Sequence, residues 1–192
     1  YILDMSKLSR NGYIIKKNNF TLKTIKEIKD DLTVKPFNYN DIGNGTEKKF
    51  NVYLESPNKL YLPRFYAQKK FGLAVNNKIN DPEKIFINFD KSLKDKQIPI
   101  VDAYLKAAEE KGGGIISVPC GYGKTVIALY ISAKLGVKTL VVVHKEFLLN
   151  QWKERIKEFL PNAKIGRLQS NIIHIDGYDI VIGMLQSISM KE

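Results

Sequence analysis

The sequence is poor in the features that mark secreted and membrane proteins. Cys120 is its only cysteine, so no internal disulfide can form, and we expect a reducing intracellular compartment, cytoplasm or nucleus. No apolar run approaches the roughly 20 residues that span a bilayer, and the first residues lack the order of a secretory signal, so we expect no membrane partner. Because the chain opens on Tyr1 rather than Met, we expect it to belong to a longer protein.

Acidic residues are too few to balance the basic ones, and the formal net charge is +11. Up to Asp95 there are 18 Lys/Arg and 11 Asp/Glu, a surplus of +7, and the remainder contains 13 and 9, a surplus of +4. Such a surplus predicts an anionic partner. Lysines that only improve solubility would give the same composition, so charge alone leaves both interpretations open.

The pattern of the chain changes near residue 91, and we predict two domains, 1–91 and 92–192. In the first domain, NGYIIKK predicts a turn into a strand, and TLKTIKEIKDDL has the apolar spacing of a helix that Pro36 would end. FNVYLESPNKLYL predicts a hairpin, and DPEKIFINFD predicts a further strand. We therefore predict a small α+β domain.

Residues 92–192 show the alternation of an α/β fold. GGIISV, KTLVVV, KIGRL and YDIVIG are short apolar runs typical of strands in a buried sheet. KTVIALYISAKLG predicts a buried helix that closes at Gly136, and EFLLNQWKERIKEFLP predicts an amphipathic helix. Strands and helices in this order predict a parallel sheet with right-handed crossovers.

The segment VPCGYGKT, residues 118–125, lies between the predicted strand GGIISV and the helix that follows it. Gly121 and Gly123 allow positive φ, so backbone N–H groups can converge on a phosphate at the helix N-terminus. Lys124 can reach the β- and γ-phosphates, and the Thr125 hydroxyl can ligate Mg²⁺. A Gly-rich turn with a chance Lys-Thr is the plain alternative, and the strand–loop–helix context argues against it. We interpret Cys120 as a spacer because no His partner lies nearby in sequence.

This loop resembles motif I of superfamily 2 helicases of the DEAD/DEAH type, and is most similar to the xeroderma-pigmentosum-B-type helicases and their relatives in large DNA viruses. LVVVHKEFLLNQW is similar to the motif Ia strand and helix, and DIVIGMLQSI resembles the motif Ib region, with Met184 where the family usually has Thr. LKDKQ stands where the family has Leu-Arg-x-x-Gln, with Lys94 in place of the Arg. The resemblance covers about residues 93–189 and extends upstream to FNVYLESPNKLYLPRFYAQKKFG.

The resemblance implies a RecA-like P-loop domain that binds ATP with Mg²⁺ and couples hydrolysis to movement or unwinding of a nucleic-acid strand. It implies Lys124 and Thr125 as catalytic residues, Thr125 as the Mg²⁺ ligand and Gln97 as the reader of adenine. The ATP-binding residues would be Gln97, Pro119, Cys120, Gly121, Tyr122, Gly123, Lys124, Thr125 and Val126. Without the resemblance, a Gln in a polar loop would be interpreted as structural or solvated.

The same resemblance implies sequence-blind, salt-sensitive strand contacts from the motif Ia and Ib loops, namely His144, Lys145, Gln186 and Ser187. The alternatives are a solvated turn for the first pair and helix N-capping for the second. We expect DNA rather than RNA, a second RecA-like domain in the remainder of the parent chain, and, for a viral protein, a virion or viral factory as its location. The oligomeric state stays open.

Basic and aromatic residues also alternate in the first domain. The interleaved residues are Lys48, Lys49, Tyr61, Arg64, Phe65, Tyr66, Lys69 and Lys70. Aromatic rings can stack on bases while cations hold phosphates, so we nominate Arg64, Lys69 and Lys70 as nucleic-acid contacts. The alternative is that Phe65, Tyr66 and Phe71 belong to the core and the lysines line a solvated face.

An acidic pair of the Asp-Glu type, which a helicase uses to hold Mg²⁺ and align water, does not follow the loop within the 192 residues. We therefore expect these residues to bind ATP weakly, if at all, and not to turn it over. Two rival functions remain. One is an unrelated P-loop enzyme such as a small-molecule kinase, which would need a lid and acidic partners. The other is a non-catalytic nucleic-acid-binding module with a vestigial nucleotide site.

Overall fold

The structure, a computed structural model, describes residues 6–35 and 49–190, and divides into two compact units, Tyr1–Asn80 and Asp81–Glu192. Residues 81–91, which the sequence assigned to the first domain, fall in the second unit. The reason is packing, because Ile85 and Ile87 are buried in the second unit's core and Ile85 N donates to Gly136 O at 3.0 Å. No helix of the described ranges is long and apolar enough to cross a membrane.

The described part of the first unit holds a five-stranded sheet, a two-stranded sheet and two helices. In chain order the elements are β1 (Lys7–Ser9), β2 (Gly12–Lys16), α1 (Leu22–Asp31), β3 (Thr33–Val34), β4 (Phe50–Asn51), β5 (Leu54–Ser56), β6 (Lys59–Leu62), α2 (Arg64–Phe71) and β7 (Asn76–Asn77). The large sheet has the order β5-β6-β2-β1-β7, antiparallel except where β7 joins β1, and β3 pairs with β4.

Local sequence patterns explain most of these elements. The predicted helix is observed as α1, whose N-cap Thr21 accepts a hydrogen bond from Thr24 N at 3.2 Å. It buries Ile25 and Ile28 but ends at Asp31; Pro36, which was expected to end it, lies outside the described residues. The predicted hairpin is observed only as β5 and β6. Residues 50–51 instead pair with β3, so residues 50–54 are not one strand.

The second unit is built around a sheet of order β10-β9-β11-β8. Its elements are α3 (Ile98–Lys111), α4 (Lys124–Leu135), β8 (Thr139–Val143), α5 (Glu146–Phe159), β9 (Ile165–Gln169), β10 (Ile172–Ile173), β11 (Ile180–Met184) and α6 (Leu185–Ser189). Strand β11 is parallel to both β8 and β9, and β10 is antiparallel to β9. The predicted parallel sheet is therefore confirmed for KTLVVV, KIGRL and YDIVIG.

Two predicted strands are wrong. The segment DPEKIFINFD forms only an isolated bridge, Lys84 with Val137, and GGIISV at 113–118 forms no ladder. A parallel strand needs hydrogen-bonding neighbours, and within the described ranges the sheet ends at β8, with no strand beside 113–118. Ile115 is accordingly 97% exposed. Helix α3 was not predicted from the sequence, although Pro99 in its first turn and Gly112 at its end are typical helix boundaries.

Helix α4 is apolar nearly all round because it lies between two buried clusters. Leu129 packs in the core formed by α5 and the parallel sheet, whereas Ile127 and Ile131 pack with Val101 of α3. The end of α4 is tied to the start of β8 by a 2.7 Å hydrogen bond between the hydroxyls of Ser132 and Thr139. These contacts hold the start of α4, and the loop before it, on the body of the unit.

Candidate nucleotide site and nucleic-acid interface

The loop before α4 has the backbone of a phosphate-binding turn. Gly121 has φ +80° and Gly123, the N-cap of α4, has φ +78°, values that glycine adopts without strain. No side chain caps α4 among the residues described, so the N–H groups of its first turn are left for solvent or an anion. A Cβ placed on Gly121 would meet nothing within 4 Å, which shows open space above the loop.

The two residues expected to handle phosphate and Mg²⁺ begin α4. Lys124 is exposed, and its Nζ donates back across the loop to Pro119 O at 3.3 Å. Thr125 follows it and is half-buried. A bound triphosphate would take the Lys124 ammonium from a neutral carbonyl oxygen, and a charged acceptor makes the stronger hydrogen bond. The residues present therefore fit a nucleotide phosphate tail.

Gln97, which precedes α3, is buried against the loop before α4 and is not a solvated residue of a polar segment. It is 3% exposed, its Oε1 accepts from Lys94 N at 2.9 Å, and its Nε2 donates to Tyr122 O at 2.8 Å. A Cβ on Gly123 would come within 2.6 Å of that Nε2. The solvated interpretation of Gln97 is wrong, because tertiary packing buries it. These two hydrogen bonds use one of its two amide hydrogens and one of the two lone pairs of its oxygen.

The other nominated loop residues differ in their surroundings. Pro119 and Cys120 are exposed, whereas Tyr122 and Val126 are half-buried. The Tyr122 ring lies 4.4 Å from the Lys96 ammonium in a cation–π contact, so the turn before α3 touches the loop through this ring as well as through Gln97. Lys96 was not singled out from the sequence, since only the fold brings it to the loop.

The four residues nominated for strand contact meet at the carboxyl ends of β8 and β11. Their common position follows from the register, in which Val143 lies opposite Met184. His144 and Lys145 are exposed. Gln186 Nε2 donates to His144 O at 3.0 Å, and Ser187 Oγ accepts from Ser170 N at 2.9 Å. Neither side chain caps α6, so the helix N-capping alternative is wrong. Both side chains instead hydrogen-bond the backbone of neighbouring loops.

The three basic residues nominated on α2 do not form one cluster. Lys70 Nζ is 3.1 Å from both Asp31 Oδ2 and Tyr66 Oη. Hydrogen bonds to Tyr66 and Asp31 raise the pKa of Lys70, and those from Tyr66 and Lys70 lower the pKa of Asp31. Lys69 is exposed, and the guanidinium carbon of Arg64 lies 5.7 Å from the centre of the Phe65 ring. Adjacent helix residues point about 100° apart, which separates Lys69 from Lys70.

The aromatic residues of this segment divide between core and surface. Tyr66 and Phe71 pack against the first unit's core, as their alternative interpretation held, but Phe65 is 50% exposed. Lys49 is exposed, Tyr61 is half-buried, and Lys48 lies outside the described residues. A core role for Phe65 is therefore wrong, and its ring is available to a ligand.

Comparison with known proteins adds an independent observation. Residues 90–192 match a family model described as type III restriction enzyme, res subunit. Over 188 residues the chain is 37% identical to the provisionally named ATP-dependent RNA helicase L396 of Acanthamoeba polyphaga mimivirus, covering 96% of this chain and 36% of that protein. Over 98 residues it is 46% identical to the DNA 3'-5' translocase XPB2 of Sulfurisphaera tokodaii, covering 50% of this chain and 21% of that protein.

A solved structure has the same kind of fold. The UvsW helicase of bacteriophage T4 superposes with a TM-score of 0.54 at 15% sequence identity, covering 90% of this chain and 72% of that one. At this identity the likeness concerns the fold alone, and it agrees with the predicted α/β class. The chain spans about a third of the length of its mimivirus relative, so further activities of the whole protein are a matter of proposal.

Proposed function

Because the chain belongs to the type III restriction enzyme res subunit family, we propose that it is the nucleotide-binding portion of an ATP-dependent superfamily 2 helicase, which moves or unwinds a nucleic-acid strand. The observation that carries the proposal is the loop at 119–123. It joins two glycines at positive φ to an uncapped helix start, with Lys124 and Thr125 as the first two helical residues. That combination is suited to phosphate and to little else.

Each residue of the loop has a defined task in this proposal. The N–H groups around Gly121 and Gly123 hold the phosphates, Lys124 neutralises their charge, and Thr125 ligates Mg²⁺. Thr125 would hold Mg²⁺, which supplies positive charge that stabilises the triphosphate. Gln97 offers its remaining donor and acceptor to adenine while keeping the loop in shape. A second RecA-like domain, outside these 192 residues, would complete the ATP site.

Nucleotide binding is tested by titrating the 192-residue chain with a fluorescent ATP analogue and Mg²⁺. Lys124→Ala should weaken binding at least about 10-fold, as loss of a charge-assisted contact implies. Lys134→Ala is the matched control, because Lys134 is an exposed lysine in the last turn of the same helix. Equal affinities of the two variants would refute the site. We expect the 192-residue chain to bind ATP weakly and not to hydrolyse it. A steady-state ATPase activity well above background that Lys124→Ala abolishes would contradict the absence of hydrolysis.

For the strand, we propose DNA over RNA, held at the carboxyl ends of β8 and β11 by Lys145 and the backbone around His144. Support comes from the likeness to xeroderma-pigmentosum-B-type motifs, although the mimivirus relative is named an RNA helicase. Competition between DNA and RNA strands of the same sequence tests the preference. Tighter binding of the RNA strand would reverse it.

We also propose that the first unit contacts duplex DNA. Residues 1–80 contain 15 Lys/Arg and 7 Asp/Glu, a net +8 out of the total of +11. Lys69 and Arg64 are the available contacts on α2, since Lys70 is engaged with Asp31. Charge reversal at Arg64 and Lys69 should weaken duplex binding and flatten its salt dependence. Unchanged affinity at low salt would end this part of the proposal.

A non-catalytic nucleic-acid-binding module with a vestigial nucleotide site would bind nucleic acid but show no difference between Lys124→Ala and Lys134→Ala in nucleotide binding. That outcome of the titration would favour the module over the helicase.

A further inference from the structure

An exposed aromatic side chain stands next to the loops that we propose to hold the strand. Phe147, in the first turn of α5, is 68% exposed, and it comes three residues after His144 at the end of β8. Leu185, the residue after β11, is 50% exposed. Because β8 and β11 are paired in parallel up to Val143, the chain emerges from both strands at one edge of the sheet.

These loops are held in place without the side chains of Phe147 and Lys145. The amide of Gln186 bonds His144 O, and the hydroxyl of Ser187 bonds Ser170 N, so each loop is fastened to a neighbour. Leu149, in the second turn of α5, is 2% exposed and anchors the start of the helix in the core. A surface that is already ordered loses little conformational entropy when a ligand binds.

The charge at this edge suits an anion. Glu146, the acidic residue next to Lys145, pairs with Arg167 Nη2 at 3.2 Å. Within the described ranges no carboxylate pairs with Lys145, which is exposed. An uncompensated ammonium two residues from an exposed aromatic ring is the combination that single-strand binding surfaces use, with the cation on a phosphate and the ring on a base.

We propose that Phe147 is a base-stacking residue, and that the surface formed by Lys145, Phe147 and Leu185 takes single-stranded nucleic acid. This inference rests on the proposed strand-binding role of the same edge and adds a contact to the bases. A duplex would first have to unstack a base step before Phe147 could contact a base face in this way, and that unstacking is unfavourable. The surface therefore selects unpaired strand, whatever its sequence, since every base has a flat π-face.

The test measures binding of a fluorescently labelled single-stranded oligothymidylate to the 192-residue chain at low salt. Phe147→Ala should weaken binding about 5- to 150-fold, the effect of losing one stacked base. Phe147→Tyr should bind like the parent chain, and Phe147→Leu should resemble Phe147→Ala, because a leucine keeps apolar area but has no ring. Phe86→Ala is the matched control, since Phe86 is 92% exposed in the same unit. The segment that carries it bridges Val137, before the start of β8, and not the carboxyl end of that strand.

An abasic strand of equal length separates stacking from charge. Phe147→Ala should not change its affinity, whereas Lys145→Ala should weaken binding of both strands. If the chain binds neither strand, the proposed function fails and this inference with it. If Lys145→Ala weakens binding but Phe147→Ala behaves like Phe86→Ala, strand binding stands and the inference is overturned. The inference is also overturned if Phe147→Ala weakens binding of the normal strand and the abasic strand equally. It is overturned as well if neither Phe147→Ala nor Lys145→Ala changes the affinity for either strand.

Discussion

The contact between Gln97 and Gly123 can be measured as a coupling energy. Gly123 has φ +78°, where an alanine costs about 1–2 kcal/mol. Its Cβ would also lie 2.6 Å from Gln97 Nε2, and that amide can withdraw only by giving up its 2.8 Å bond to Tyr122 O, worth about 0.5–1.5 kcal/mol. Gly123→Ala should therefore destabilise the second unit by about 2–3 kcal/mol.

Gln97→Ala alone removes two hydrogen bonds of a buried side chain, for a loss of about 1–3 kcal/mol. In the double variant the obstacle to the new methyl group is gone, so only the φ penalty of Gly123→Ala should remain. The double variant should thus be more stable than the sum of the single effects by about 1 kcal/mol. Urea unfolding, followed by the fluorescence of Trp152, the only tryptophan, gives the free energy of unfolding of the parent chain, the two single variants and the double variant. Additivity within about 0.5 kcal/mol would refute the contact.

Three further predictions concern stability. The Lys17 and Lys29 ammonium groups lie 2.5 and 2.8 Å from Glu55 Oε1 and lower the pKa of Glu55. The ionised carboxylate therefore stabilises the folded chain fully above the unfolded pKa of about 4.3. This stabilisation is lost as the pH falls through the lower pKa of the folded state. Glu55→Gln should be less stable than the parent at pH 7 in urea unfolding followed by circular dichroism, with a gap that closes near pH 2; an unchanged gap there would contradict this. Ile156→Ala, at a fully buried position, should lose about 2–5 kcal/mol by Trp152 fluorescence, against under about 1 for Leu135→Ala, which is 40% exposed. Gly166→Ala puts a Cβ 2.2 Å from the backbone oxygen of His174 and should cost about 1–3 kcal/mol, whereas Gly114→Ala, with its nearest neighbour at 3.8 Å, should be near neutral; similar unfolding midpoints would argue against it.

Periodicity predicted the elements whose partners are close in the chain. Helices α1, α4 and α5 and the strands β8, β9 and β11 lie where their apolar spacing indicated, and Gly136 ends α4 with φ +58°. The prediction succeeded because propensity, capping and alternation of burial depend on neighbouring residues. It was wrong for GGIISV and DPEKIFINFD, because an apolar run forms a strand only where another strand lies beside it.

The candidate site shows the same division. The positive φ values of Gly121 and Gly123 could be anticipated from VPCGYGKT, because only glycine suits such a turn. The burial of Gln97 could not, since it depends on Tyr122 O, 25 residues later. The exposure of Phe147 could be anticipated from the helix period, because Phe147 lies about 200° around the axis of α5 from the buried Leu149.

By itself, the sequence determined the phosphate-type loop, the helix that follows it and the basic character of the chain, since each depends on residue identity or on nearest neighbours. Only the tertiary structure decided which charges are free. Lys70 and Lys69 are adjacent in sequence and chemically alike, yet Lys70 bonds Asp31, 39 residues away, whereas Lys69 pairs with no carboxylate within residues 6–35 and 49–190. The physical reason is that a hydrogen bond or a strand ladder needs two partners, and the fold alone determines which distant residues meet.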